Sequence, residues 1–351
     1  MSNDAVHSLG LTHRERVEID AFALHFVDDH GHRNRLRELE SAIEGQQTKT
    51  VARVLESGMA AHGAAYPLLL ITESLDAVFA LYRRCGIADD VRDATLADVR
   101  RWVDEHAARF DGEFGFSQVF WIARHLSCRI LQLGSLQFEP KRFDYPYRIY
   151  RSPGSASLLV VAEPGLRCDA AGYLEEQSPA FVTALEEDGA MLCAHAVDAT
   201  RGRISPVVSS YRLDDLKLLC NRESEILNVH IPKGVAFTAE AVDTAFNAAL
   251  EHYLQHRIFV CTSWLLDPAL GAVLEGESNI VRFMERFSKF PVTFSVPQLY
   301  ERVFGFGLGE DEVRSCAGKT RLQRRVQQAL AAGVVFRTMG GFIVARDSFP
   351  W

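Results

Sequence analysis

The stretch from Ile226 to Ile280 constrains the fold more than any other part of the chain. It reads ILNVHIP, then KGVAFT, then AEAVDTAFNAALEHYLQH, then IFVCTSWLLDP, and closes on SNI. Short apolar runs bounded by turn residues mark strands, and apolar residues at helical spacing mark an amphipathic helix. The order is therefore strand, tight glycine turn, helix, strand, helix start. A turn between a strand end and a helix start presents backbone N–H groups to an anionic ligand. Elsewhere the chain has no familiar catalytic motif, so the functional reading begins here.

The 351 residues allow two domains of ordinary size. Twenty-two Phe and nine Tyr argue against disorder. A formal charge of −8 gives no general attraction to nucleic acid or anionic lipid, so neither is expected as a partner. The seven cysteines are scattered without a CxxC, which suits reduced thiols and a cytoplasmic setting. MSNDAVHSLG carries no apolar signal core, and stretches such as Pro67 to Ile71 are too short to span a bilayer.

Residues 1–114 read as a helical domain. Thr12 with Glu15 forms a capping box, and Val17, Phe22 and Phe26 form the buried face behind it. Gly31 and Gly45 mark turns. Val51, Val54 and Leu55 lie on one helix, Leu68 to Tyr82 form a longer one, and Thr95 with Asp98 starts another that reaches Phe110. These helices show no obvious chemistry. Strands dominate from Ser127, with Gly134 a bulge or bend and Gln132 and Gln137 on opposite faces of one strand. Loops are marked at Ser152–Ser155 and Gly202–Pro206. Thr320 to Ala332 reads as a helix closed by Gly333, followed by a hairpin around Met339, Gly340 and Gly341. Residues 115–351 thus form a second domain, and the fold class is α+β with a mixed sheet.

The segments LQLGSLQF, LNVHIP-x-G, FVCTSWLLDP and ESNI together resemble a bacterial acyltransferase family without an assigned substrate. That family joins a helical N-terminal domain to a C-terminal domain similar to the GNAT acyltransferase fold. The resemblance covers most of the chain. It implies acyl transfer from a thioester, acyl-CoA or an acyl-carrier protein, to a small-molecule amine, with no tightly bound cofactor. In the GNAT fold a strand ends in a turn that holds the carrier's pyrophosphate, and the strand after the helix splays away to leave a slot for the pantetheine arm. Carried over, the first strand is Ile226–Ile231, with Val229 and Ile231 along the carrier. Lys233, Gly234, Val235 and Ala236 are the turn, Glu240–His256 the helix, and Ile258–Trp264 the splayed strand. Asn279 opens the helix that follows.

The chain departs from the family pattern at identifiable positions. Ile231 stands where the turn usually has a Gln or Arg donor, and Pro232 removes an N–H. Glu240 and Asp243 suit the helix dipole but oppose a phosphate. Arg286 and Phe287 stand near the usual thiolate-protonating Tyr, and neither can act as a general acid near neutrality. His230, at the strand end, is the candidate base toward the attacking nitrogen, against a plain packing role. Cys261 is a candidate nucleophile, although buried cysteines behave as small apolar groups. Ser263, on the same face as Cys261, is a candidate contact to substrate or thiol, and Thr262 and Trp264 face the other way. Glu139 ends its strand and could hold an amine. His252 and His256, spaced i, i+4 on a helix, have no third ligand, so no metal site is expected. The alternatives are a non-catalytic carrier-binding module on the same fold and a thioester hydrolase or decarboxylase.

Overall fold

The computed structural model describes residues 7–152, 158–274, 278–294 and 296–345. The loop read at Ser152–Ser155 lies outside them from residue 153 onward. Contacts divide the chain into two compact units. The first comprises Met1–Glu139, His230–Ala236 and Thr244–Ala249, and the second Pro140–Val229, Phe237–Asp243 and Leu250–Trp351. Among the described residues no helix is long and apolar enough to cross a membrane.

The first unit is helical: α1 (His13–Ala23), α2 (His30–Glu44), α3 (Thr48–His62), α4 (Tyr66–Glu73), α5 (Leu75–Arg84), α6 (Asp89–Leu96), α7 (Asp98–Arg109) and α8 (Val119–Leu126). The Thr12–Glu15 capping box starts α1 as expected. Val17, however, is 51% exposed, because the buried stripe of this segment runs through Ile19 and Phe26. Asp29 caps α2 by accepting from the N–H groups of Gly31 and His32, so the His30-Gly31-His32 run is the first helical turn and not a loop. The helix expected from Leu68 to Tyr82 is two, interrupted at Ser74. There the Thr72 and Ser74 hydroxyls donate back to the carbonyls of Leu68 and Ile71, competing with the helical ladder. Thr95 lies in the last turn of α6 instead of capping α7: its hydroxyl donates to Val91 O and accepts from Gln132 N.

A hairpin closes this unit, with β1 (Leu131–Leu133) antiparallel to β2 (Leu136–Arg142). Gly134 is one of its two turn residues, with φ +63, and a Cβ there would stand 3.2 Å from Ala245 Cα. Only glycine takes that backbone and that approach without strain. Gln132 and Gln137 are not on opposite faces of one strand. They are paired across the hairpin, both are buried, and Gln137 Nε2 donates to Gln132 Oε1.

The second unit is mostly sheet. β3 (Tyr147–Arg151) pairs antiparallel with β4 (Leu158–Ala162), and β4 with β8 (Met191–Asp198). β8 also pairs with β7 (Leu185–Asp188) and β9 (Arg203–Arg212), and β10 (Lys217–Cys220) pairs with β3. β5 (Arg167–Cys168) and β6 (Phe181–Val182) make a small ribbon. β11 (Glu225–His230) runs parallel to β12 (Ile258–Ser263), which is antiparallel to β14 (Met339–Val344), itself antiparallel to β13 (Ser288–Pro291). The parallel ladder holds at Leu227/Phe259 and Asn228/Val260, and among the described residues it goes no further. That short parallel pair within antiparallel neighbours is the mixed, splayed sheet expected.

Helix α9 (Ala239–His252) connects β11 to β12. It stops at His252, so His256 is not on the helix and the i, i+4 pair does not form. Helices α10 (Asn279–Glu285), α11 (Gln298–Phe304), α12 (Glu310–Ser315) and α13 (Arg321–Ala331) complete the fold. The Gly340–Gly341 pair is not a hairpin turn. It lies inside β14, where a Cβ on Gly340 would stand 2.1 Å from the Phe290 ring. The glycines let Phe290 lie on the strand, in a core with Phe143, Tyr147, Val260 and Phe342.

Candidate active site

In the first unit, His230 and Glu139 come together. Glu139 does not end its strand, since β2 continues to Arg142. His230 Nε2 lies 3.3 Å from Glu139 Oε2, and Arg124 Nη1 donates to the same oxygen at 3.3 Å. Both side chains are half-buried, at 21% and 15% exposure. The Trp121 ring stands edge-on to the His230 ring, with centroids 4.8 Å apart and planes at 81°. The Arg124 guanidinium also sits 5.5 Å from the centre of the Trp121 ring.

Behind Trp121 lies Asp98, the first residue of α7, whose side chain is 3% exposed. Its Oδ2 accepts from the indole N–H groups of Trp121 (2.8 Å) and Trp102 (3.1 Å), and its Oδ1 from Arg101 Nη1 (2.8 Å). Burial works to raise this carboxyl. The adjacent His125 and the hydrogen bonds from Arg101 and Trp121 outweigh it and hold Asp98 below its usual range. His125 is fully buried, with Nε2 3.4 Å from Asp98 Oδ2 and Nδ1 donating to the Trp121 carbonyl at 3.0 Å. Burial pushes its pKa below the ordinary imidazole value.

No motif in the sequence marks these helical residues. One signal was available. Asp98 and Trp102 are spaced i, i+4, as are Trp121 and His125, so each pair shares a helix face, and a buried indole N–H needs an acceptor.

The turn after β11 carries Gly234 at φ +77, with nothing within 4 Å of where a Cβ would stand. Lys233 is exposed and donates to Glu105 Oε2 at 2.7 Å, so its charge is partnered by a carboxylate of α7. Val235 and Ile231 are half-buried and Ala236 is exposed.

The other expected residues lie in the second unit. Val229 is 2% exposed. Cys261, in β12, is 1% exposed, and burial pushes its thiol up to about 12. Such a thiol stays protonated near neutrality and packs as a small apolar side chain. The Ser263 hydroxyl accepts from Leu265 N at 3.1 Å and so caps the 3₁₀ turn Trp264–Leu266. On the other face of β12, Thr262 Oγ1 is 2.5 Å from the Tyr145 hydroxyl, a contact the sequence reading did not include. Asn279 is exposed at the start of α10, which Ser278 caps through Val281 N. Arg286, near the position where a proton donor was sought, pairs with Asp243 and donates to Ala239 O at 3.4 Å. It therefore offsets Asp243, one of the two acidic residues of α9 that oppose a phosphate. Among the described residues no cluster of His, Cys, Asp or Glu could hold a metal ion.

The two domains define an acyltransferase. The chain belongs to the family with a GNAT-like C-terminal domain, whose model matches residues 130–343, and residues 2–128 match the N-acyltransferase N-terminal domain. The resemblance read from LQLGSLQF, LNVHIP and ESNI is borne out. Among solved structures, the fold is similar to an acyltransferase in complex with CoA and 10C-teicoplanin, with a TM-score of 0.62 and 17% identity over 98% of this chain and 88% of that one. It is also similar to an acyltransferase variant in complex with octanoyl-CoA, with a TM-score of 0.59 and 18% identity over the same shares, 98% and 88%. A search of curated proteins by sequence finds no match.

Proposed function

We propose that this acyltransferase moves an acyl group from acyl-CoA to a small-molecule amine by direct attack. The observation that carries the reading is the His230–Glu139 pair, with Nε2 to Oε2 at 3.3 Å and Arg124 on the same oxygen. With the Nε2 hydrogen given to Glu139, the basic lone pair of a neutral imidazole lies on Nδ1. The amine nitrogen attacks the thioester carbonyl carbon, the C–N bond forms and the C–S bond breaks. His230 takes the proton from the attacking nitrogen, and that proton goes to the departing thiolate. The Glu139 carboxylate stabilises the imidazolium in between, with Arg124 donating to the same oxygen.

The protonated, buried Cys261 supports direct attack over a covalent relay. The open backbone at Gly234 supports a role for residues 233–236 toward the carrier's phosphates, with Lys233 as the adjacent cation. The ligands named for the similar structures, CoA, decanoyl-CoA and teicoplanin, favour acyl-CoA as donor and an amine-bearing acceptor. The test incubates the protein with short-, medium- and long-chain acyl-CoAs and a panel of amines, recording free thiol and product mass. Amide formation is expected with at least one chain length, and His230→Ala should lower kcat about 100-fold or more. Free acid in place of amide, or full turnover in His230→Ala, would sink the reading.

A further inference from the structure

We infer that Asp98 is a positioning residue for His230 and acts through the Trp121 indole. The inference rests on the reading of His230 as the base and adds the elements that aim it. An Asp opening a helix ordinarily points to water or to the N–H groups of its first turn. Asp98 instead turns inward and gives one oxygen to two indoles, Trp121 at 2.8 Å and Trp102 at 3.1 Å. A carboxylate taken out of water in this way is costly unless every lone pair is used, and here Arg101 takes the other oxygen. The arrangement fixes the plane of Trp121, because an indole held at Nε1 cannot swing about its side-chain bonds.

That plane matters to His230. Its contact with Glu139, at 3.3 Å, is long for a hydrogen bond that orients a ring. The Trp121 edge contact at 4.8 Å and 81° adds a further constraint. Among the groups facing His230 in this unit are Glu139 from β2 and Trp121 and Arg124 from α8, with His125 and Asp98 behind Trp121. Asp98 touches neither His230 nor any reacting atom in this arrangement. It acts by holding the wall.

The test uses Asp98→Asn and Trp121→Phe in the full chain. The second keeps an aromatic wall but removes the N–H that Asp98 holds. Both should lower kcat about 10- to 100-fold, the range expected when a base is slightly misplaced, with KM for donor and acceptor within about threefold. In both, the acid limb of kcat/KM and the His230 titration followed by nitrogen-15 NMR should move in the same direction. The double variant should be no slower than the slower single one, since both cut the same route. A Trp121→Phe protein with wild-type kcat and an unmoved His230 titration would overturn the inference, and so would losses that track unfolding in thermal melts. If Asp98→Asn does not fold, Trp121→Phe decides on the same criteria. If His230→Ala keeps full turnover, the base reading fails, and the His230 titration in Trp121→Phe still reports on positioning.

Discussion

Cys261 and Asp267 lie close together in the chain, and burial moves both acidities the same way. It pushes the thiol up to about 12 and the carboxyl up to about 6. For Cys261 this removes the chemistry that a thiol beside Thr262 and Ser263 suggested in the sequence. Cys261→Ala should cost about 1–2 kcal/mol of stability, the order expected for a small cavity in a core, and leave kcat within about twofold. Denaturant melts and steady-state rates check this, and an acyl adduct on Cys261 in intact-mass spectra would contradict it. His230 was legible as a strand-end residue before the turn. Asp98 was not, because a helix-opening Asp has the same local sequence whether it caps its own helix or is buried against another. What separates the two cases is α8, which brings Trp121 and His125 to it from outside the local sequence.

Three helix ends meet in the first unit. Gly45 closes α2, Cys85 closes α5 and Ser127 closes α8. Gln46 links them, its Nε2 reaching Cys85 Sγ at 3.7 Å and Ser127 O at 3.4 Å. Cys128, just past α8, takes φ +53, a left-handed backbone uncommon for a residue with a side chain. Burial, followed by the neighbouring Cys85 thiol, raises Cys128 to about 12. The neighbouring Cys85 is exposed, so oxidised glutathione should join the two slowly near neutrality: Cys85 attacks first, and the small Cys128 thiolate fraction then displaces the glutathione thiol. The second step should speed up as pH rises and thiolate forms. Peptide mapping without reductant checks the link, and a stable glutathione adduct at Cys85 with no linked peptide would refute it. Strand-turn-helix segments were legible because period and turn residues agree locally, as in β11 to β12 and in α13 with its Thr320 cap. The break at Ser74 and the Gly340–Gly341 strand were not. The first depends on hydroxyls bonding back to carbonyls and the second on Phe290 arriving from another strand.

At the scale of the whole molecule, Asp267 ties folding to pH. Its oxygens accept from Arg337 N at 2.6 Å and Ala269 N at 3.0 Å, yet burial outweighs these bonds and raises its pKa. A carboxyl that binds its proton more tightly folded than unfolded stabilises the protein at low pH, and that contribution is lost as pH rises from about 4 through about 6. Its size is on the order of 2–3 kcal/mol. Denaturant melts between pH 4 and 7 should show a fall in stability toward neutrality from this group, and Asp267→Ala should remove that component. An identical pH slope in the variant would exclude it. The molecule also holds an optical consequence of the Asp98 cluster. The chain has four tryptophans, and Trp102 and Trp121 both donate to one carboxylate. Indole emission responds to hydrogen bonding and nearby charge. The emission of these two tryptophans is therefore a gauge of a single buried side chain.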